Sequence, residues 1–276
     1  MKTNISLDKV KEIAELKIYK KVAVSSEILA DVRTPIELLR ILKAVSKHTY
    51  ILESAEENLT WGRYTFLGFE PKLEISLNNH KIKIKDKDGI KLEEKCMYPA
   101  KYIREILKEY KSPKQEGLPS FTGGLVGYFS YDYIKYAEPK LKLEHSQGTD
   151  FKDMDMMLFD KIIAYDNYKQ KIIVIVNMDI SNENIEENYK TALEEIKRII
   201  ELIKSGKVKE EEKIKLLSDF EPLFNKEEYM QIVEKTKKYI YEGDIFQAVL
   251  SNKLEAKASG SLLDVYRRLR ISNASP

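Results

Sequence analysis

Two apolar runs around a short polar turn constrain this chain more than any other feature. Asp155–Asp166 (DMMLFDKIIAYD) and Lys171–Met178 (KIIVIVNM) flank Asn167-Tyr168-Lys169-Gln170. Both are rich in Ile, Val, Leu and Met and are bounded by turn formers, so they read as two long strands joined by that turn. Neither approaches the roughly 18 apolar residues that a membrane-crossing helix needs.

The rest of the chain supplies more strands and the helices to cover them. Lys72–Leu77, His80–Lys85 and Ile90–Lys95 are short strands with Asn78-Asn79 and Asp88-Gly89 at the turns, an antiparallel meander. Leu73, Ile75 and Leu77 alternate with charged or hydroxyl residues, as do Ile82 and Ile84, so one face of that sheet is wet. Arg63–Gly68 and Ile245–Ala256 also read as strands. Helical periodicity marks Leu7–Lys21, Pro35–Lys47, Pro99–Lys111, Glu183–Lys204, Lys226–Glu242 and Gly260–Ile271. Thr34-Pro35-Ile36-Glu37 supplies an N-cap, a proline at the first helical position and an acid in the first turn. Asn225-Lys226-Glu227-Glu228 fits a capping box, and Ser181 or Asn182 is placed to cap the helix from Glu183. The order of elements predicts an α+β fold of antiparallel sheets with packed helices, without a βαβ winding. A charged stretch with one glycine at 206–219 is the best linker, dividing a region 1–205 from a region 220–276.

Composition excludes several classes. The 47 basic and 45 acidic residues are interleaved and leave a net charge of +2, so neither a nucleic-acid face nor a polybasic membrane patch is expected. Cys96 is the only cysteine, and His48, His80 and His145 lie far apart, so no metal-ligand spacing emerges. The N-terminus lacks a signal-peptide core, which points to the cytoplasm. The chain stops at RISNASP, directly after an apolar-periodic helix, which leads us to expect a fragment.

Three motifs bear on function. Gly123, Gly124 and Gly127 lack the spacing of a phosphate loop and read as strand glycines that permit a bulge or close backbone approach. In ILESAEENLTWGRYTFLG (51–68), Glu53 and Ser54 end an apolar strand. They either hold an ammonium-bearing ligand or cap a turn, with Glu53 paired to Arg63. In GDIFQAVLSNKL (243–254), Gln247 shares a strand face with Ile245 and Val249, as an interior amide or as a pocket amide.

At these same stretches the chain resembles the large subunit, component I, of anthranilate synthase, within the chorismate-utilising enzymes. ILESAEENLTWGRYTFLG resembles that family's LLES segment with its following W-G-R-Y-S-F-I-G. GGLVGYFSYDYIKYAE is similar to its G-G-x-V-G-Y-x-x-Y-D. YIYEGDIFQAVLSNKL and YRRLRISNASP resemble G-D-I-F-Q-V-V-L-S-Q and Y-R-x-L-R-x-x-N-P-S-P-Y-M. Aminodeoxychorismate-forming sisters tend to carry Tyr-Gln-x-Asn where this chain has Phe246-Gln247-Ala248-Val249, which favours the anthranilate branch.

The resemblance implies a two-lobed sandwich, incomplete here at its C-terminal end. It implies conversion of chorismate to anthranilate and pyruvate with Mg2+, using ammonia from a glutamine amidotransferase subunit (component II). Water-adding relatives carry a lysine at the position of Gln247, so the amide implies an amine nucleophile that needs no base. The family is feedback-inhibited by L-tryptophan. Ser54 matches the tryptophan-contacting serine with Glu53 beside it, Thr65 matches a second serine, and Ser275 and Pro276 match the later segment. Thr65 adds a methyl, and Ala274 stands where the family has proline. Region 1–205 is thereby the regulatory part and 220–276 the start of the catalytic part. The Mg2+ ligands and most chorismate contacts are expected beyond Pro276, so these residues alone are expected to be inactive. The rival readings are aminodeoxychorismate synthase component I and a non-catalytic tryptophan-binding module.

Overall fold

The structure, a computed structural model, describes residues 1–54, 62–138, 140 and 151–273. Residues Met1–Lys209 form one compact unit, and a second begins at Glu210. In the first unit the order is α1 (Leu7–Glu15), β1 (Lys21–Leu29), α2 (Pro35–Val45), β2 (Thr49–Leu52), β3 (Tyr64–Phe69), β4 (Leu73–Asn78), β5 (Lys81–Asp86), β6 (Gly89–Lys95) and α3 (Pro99–Glu109). There follow β7 (Gly124–Phe129), a 3-10 turn at Tyr131–Tyr133, α4 (Ile134–Ala137), β8 (Met154–Phe159), β9 (Lys161–Asp166), β10 (Lys171–Asp179) and α5 (Ile185–Ser205).

Two five-stranded sheets result, ordered β1-β10-β9-β3-β2 and β6-β5-β4-β8-β7, with every ladder antiparallel. One face of the first sheet carries Val22, Val24, Leu67, Phe69, Ile163, Val174 and Val176. It is covered by α5, which runs along β10 and β1, and by α2, which lies against β2 and β3. The opposite face meets the second sheet. There Ala23, Ile162, Ala164, Ile173 and Ile175 pack with Phe159, and Tyr64, Phe66, Val126 and Met157 close around them. The far side of the second sheet buries Ile75, Leu77, Ile82, Met154 and Met156 under Tyr102, Ile103 and Ile106 of α3 and Tyr136 of α4. The unit is thus a helix–sheet–sheet–helix stack, the α+β architecture of antiparallel sheets with packed helices that the pattern predicts.

Local signals hold where the chain itself supplies the partner. Thr34 caps α2 through Glu37 N while Glu37 reaches back to Thr34 N at 3.0 Å, a complete capping box. In β7, Gly127 serves close approach of the backbones. A Cβ on Gly127 would stand 2.0 Å from Asp155 O and 2.7 Å from Met156 Cα on β8.

Four expectations need correction. The run Asp155–Asp166 is two strands in different sheets, because the chain crosses from β8 to β9 at Asp160. Helix α1 stops at Glu15, and Lys21–Leu29 is an edge strand set by its pairing with β10. Neither Ser181 nor Asn182 caps α5. Asn184 is the N-cap residue, while Ser181 donates from both N and Oγ to Asp179. Of the strand expected at Ile245–Ala256, only Leu254–Glu255 pairs, since no strand among the described residues lies beside 245–250.

The second unit has β11 (Lys215–Leu216), β12 (Glu221–Pro222), α6 (Lys226–Tyr241), β13 (Leu254–Glu255), β14 (Ala258–Ser259) and α7 (Leu263–Ser272). Asn225 caps α6 with the expected box to Glu228, and Gly243 follows it at φ +83°. Phe246 and Val249 are almost fully exposed.

Candidate functional site

Glu53 and Ser54 follow β2 directly and are half-buried. The β2–β3 ladder ends at Leu52↔Phe66, so the next residue on each strand brings Glu53 level with Thr65 and Ser54 level with Tyr64. The fold therefore gathers these three candidates at one end of the first sheet. Thr65 is buried, opposite Tyr165 and on the same face as Leu67, the face that α2 and α5 cover. Gln247 is exposed and belongs to the second unit. Ser275 and Pro276 lie outside the described residues, as do residues 55–61 of the quoted stretch.

A polar frame surrounds the start of β3, and sequence reasoning missed it. Arg63 donates Nε to Asp166 Oδ1 at 3.1 Å and Nη2 to Oδ2 at 2.7 Å, a two-pronged pair on a fully buried carboxylate. The sequence suggested Glu53 as the partner of Arg63; the structure gives that role to Asp166. The guanidinium lies over the rings of Tyr64 and Tyr168, 4.8 and 5.7 Å from their centroids. Burial opposes ionisation of Asp166. The bonds from Arg63 and from the backbone N–H groups of Lys169 and Tyr168 outweigh it and hold the carboxyl below its ordinary range. Next in sequence, Asn167 donates N to Arg63 O at 2.9 Å and Nδ2 to Thr65 Oγ1 at 3.3 Å, and reaches Gly62 O at 3.5 Å. The only signal in sequence is Asp-Asn at the end of an apolar run, a common turn opening.

A second missed residue is Asp160, at the crossing between sheets. It is 9 % exposed, its Oδ1 has no hydrogen-bond partner among the described residues, and Lys72 Nζ stands 3.5 Å from Oδ2. It lines a groove of about 390 Å3 with Lys72, Lys161, Asp179, Asn188 and Glu195. Burial pushes its pKa up, only partly offset by Lys72 and Lys161. A carboxyl whose folded pKa is raised contributes fully below its unfolded value, and that contribution is lost as pH rises through the folded value. Asp160→Asn is therefore expected to raise the melting temperature at pH 7 by a few degrees, for about 1–3 kcal/mol. At pH 3 it should match the unaltered protein. Equal melting at both values would show that Asp160 carries no such cost.

Among the described residues, no three His, Cys, Asp or Glu side chains converge as a metal site would require. No helix there is long and apolar enough to cross a membrane.

Comparison with known proteins places these features in context. A family model described as chorismate binding enzyme matches residues 47–276. The chain is 34 % identical over 282 residues to anthranilate synthase component 1 of Acetivibrio thermocellus, covering 98 % of this chain and 55 % of that protein. It is 32 % identical over 262 residues to the protein of the same name from Acinetobacter calcoaceticus, covering 94 % and 52 %. The crystal structure of anthranilate synthase component I from Streptococcus pneumoniae TIGR4 matches with a TM-score of 0.58 at 26 % identity, over 89 % of this chain and 52 % of that one. The chain spans about half the length of the curated relatives it matches.

Proposed function

We propose that this chain, which belongs to the chorismate binding enzyme family, forms part of an anthranilate synthase component 1. What carries this reading is that both relatives above bear that name and match 94 % and 98 % of this chain. The activity is proposed for these residues together with the part of the relatives' length outside the match. In it, ammonia adds to the chorismate ring as the hydroxyl leaves, and pyruvate is then eliminated to give anthranilate. A glutamine amidotransferase, component II, supplies the ammonia, and the reaction runs in the cytoplasm.

Gln247 is our candidate for the residue that meets the incoming amine. Neutral ammonia already carries a lone pair, so a side chain that donates and accepts without charge suffices. Mg2+ is proposed as the cofactor. The described residues do not by themselves form a site for it, so its ligands are assigned to other residues and no step here runs through it.

The end of β2 is proposed as the L-tryptophan site. Glu53 faces the ligand's ammonium, Ser54 supplies a hydroxyl, Thr65 belongs to the same segment, and Ser275 and Pro276 complete it. In calorimetry, L-tryptophan should bind this chain, and Ser54→Phe should weaken binding at least tenfold, which is ~1.4 kcal/mol. Unchanged affinity would remove Ser54 from the site.

The activity itself is tested by genetic complementation. The open reading frame that encodes these residues is placed in a bacterium lacking component 1, grown on ammonium without tryptophan. Growth with anthranilate released supports the proposal. Aminodeoxychorismate as the product would assign the sister activity, and tryptophan binding without either product would make the chain a sensing module.

A further inference from the structure

We propose that Asp166 and Asn167 are positioning residues for the ligand site at the end of β2, and that Thr65 belongs to their frame. The assignment to a ligand site rests on the tryptophan reading of Glu53 and Ser54.

The argument starts from what holds the entry to β3. Glu53 and Ser54 stand one and two residues past the last β2–β3 pair, so their placement is inherited from β3. The start of β3 is in turn fixed by the β9–β10 turn. Arg63 is held by both carboxylate oxygens of Asp166, and its carbonyl accepts from Asn167 N at 2.9 Å. Two residues on, Thr65 Oγ1 accepts from Asn167 Nδ2. Asp166 is itself pinned by the N–H groups of Tyr168 and Lys169 at 3.1 and 2.9 Å, so the frame is rigid from the turn outward. These bonds cross 102 and 103 residues of sequence.

The same geometry separates Thr65 from Ser54. Strand alternation turns Thr65 toward the helix-covered face, where it is 3 % exposed. Its oxygen is occupied by Asn167. Thr65 therefore acts on the ligand through the backbone it steadies.

Two experiments on the 276-residue chain test this. Hydrogen exchange followed by mass spectrometry needs no ligand. Asn167→Ala should speed exchange at Tyr64, Thr65 and Leu52 about tenfold while the middle of β10 keeps its protection. Unchanged exchange at those three amides would overturn the frame. Calorimetry with L-tryptophan then reads the ligand site. Asn167→Ala should weaken affinity about tenfold.

A comparison across variants supplies a readout that stability alone would not move. Asn167→Asp keeps the size of the side chain and the backbone N–H to Arg63 O, but its carboxylate cannot donate to Gly62 O. Its affinity for L-tryptophan at pH 7 should fall with that of Asn167→Ala, whereas Gly127→Ala, which disturbs the second sheet, should bind as the unaltered chain does. Affinity that simply tracks melting temperature across the three variants would overturn the positioning role. Absence of tryptophan binding in the unaltered chain would overturn the ligand reading and this assignment to it, while the exchange data would still decide whether the frame exists.

Discussion

Lys135→Met is expected to cost about 3–5 kcal/mol and to lower the melting temperature by about 10 °C. Lys135 Nζ lies 2.7 Å from Asp153 Oδ1, with both side chains under one-tenth exposed. The other carboxylate oxygen accepts Tyr136 Oη at 2.7 Å and Asn79 N at 2.9 Å. Tyr136 Oη accepts in turn from His80 N at 2.9 Å. The pair thereby ties α4, the β4–β5 turn and the chain entering β8 to one point. Removing the ammonium leaves a buried carboxylate with two neutral donors, the costly way to break a buried pair.

The pH behaviour of Asp153 follows the same contacts. Burial opposes its ionisation, and the hydrogen bonds from Lys135, Tyr136 and Asn79 N outweigh that, so its pKa sits below the ordinary carboxylate value. Its contribution is present above the unfolded pKa and is lost as pH falls through the folded one. The melting deficit of Lys135→Met should therefore be largest at neutral pH and shrink in acid. Adding Asp153→Asn keeps an acceptor for Tyr136 and Asn79 N, and should restore most of the loss at pH 7. A deficit that is pH-independent, or that the second change deepens, would refute this account.

Gly127→Ala should cost about 3 kcal/mol and undo the outer end of the β7–β8 ladder. The new methyl would overlap the backbone of β8, with Asp155 O at 2.0 Å and Asp155 C at 2.9 Å. Backbone cannot swing aside as a side-chain tip can, so the strands must part or shift register. Tyr128↔Asp155 and Phe129↔Met154 lie just beyond the contact and should lose protection first. Their amide exchange should rise well before that of β4–β8, and melting should fall with it. A variant that melts with the unaltered protein and keeps those amides protected would show that the approach at Gly127 is not needed.

What the sequence disclosed depended on how far away each residue's partner lay. The α2 and α6 caps were legible because Thr34 and Glu37, or Asn225 and Glu228, complete their bonds within one turn. The meander was legible because its turns and alternation are local. The crossing at Asp160 was hidden in an apolar run that reads as one strand, since both halves are buried. Strand β1 was hidden for the opposite reason. Lys21–Leu29 carries two serines and follows a helical stretch, and only its pairing with β10 makes it a strand. At the candidate site, Glu53 and Ser54 stood out as polar residues ending an apolar strand, and family resemblance then gave Ser54 a role, while the Arg63–Asp166 pair spans 103 residues and leaves no local pattern.

The order of strands in the first sheet also sets a timetable for synthesis. Its centre is β9 and β10, with the earlier strands attached on either side. Lys21 on β1 pairs with Asp179 on β10, 158 residues later. At the ribosome's pace of about 5–20 residues per second, that separation is about 8–30 s. The first strand to emerge therefore waits for its hydrogen-bonding neighbour until the hairpin near residue 170 has left the exit tunnel. That late hairpin is the template on which the nascent N-terminal segments assemble, so ribosomal pausing before β10 would lengthen the interval in which they are open to chaperones and to aggregation.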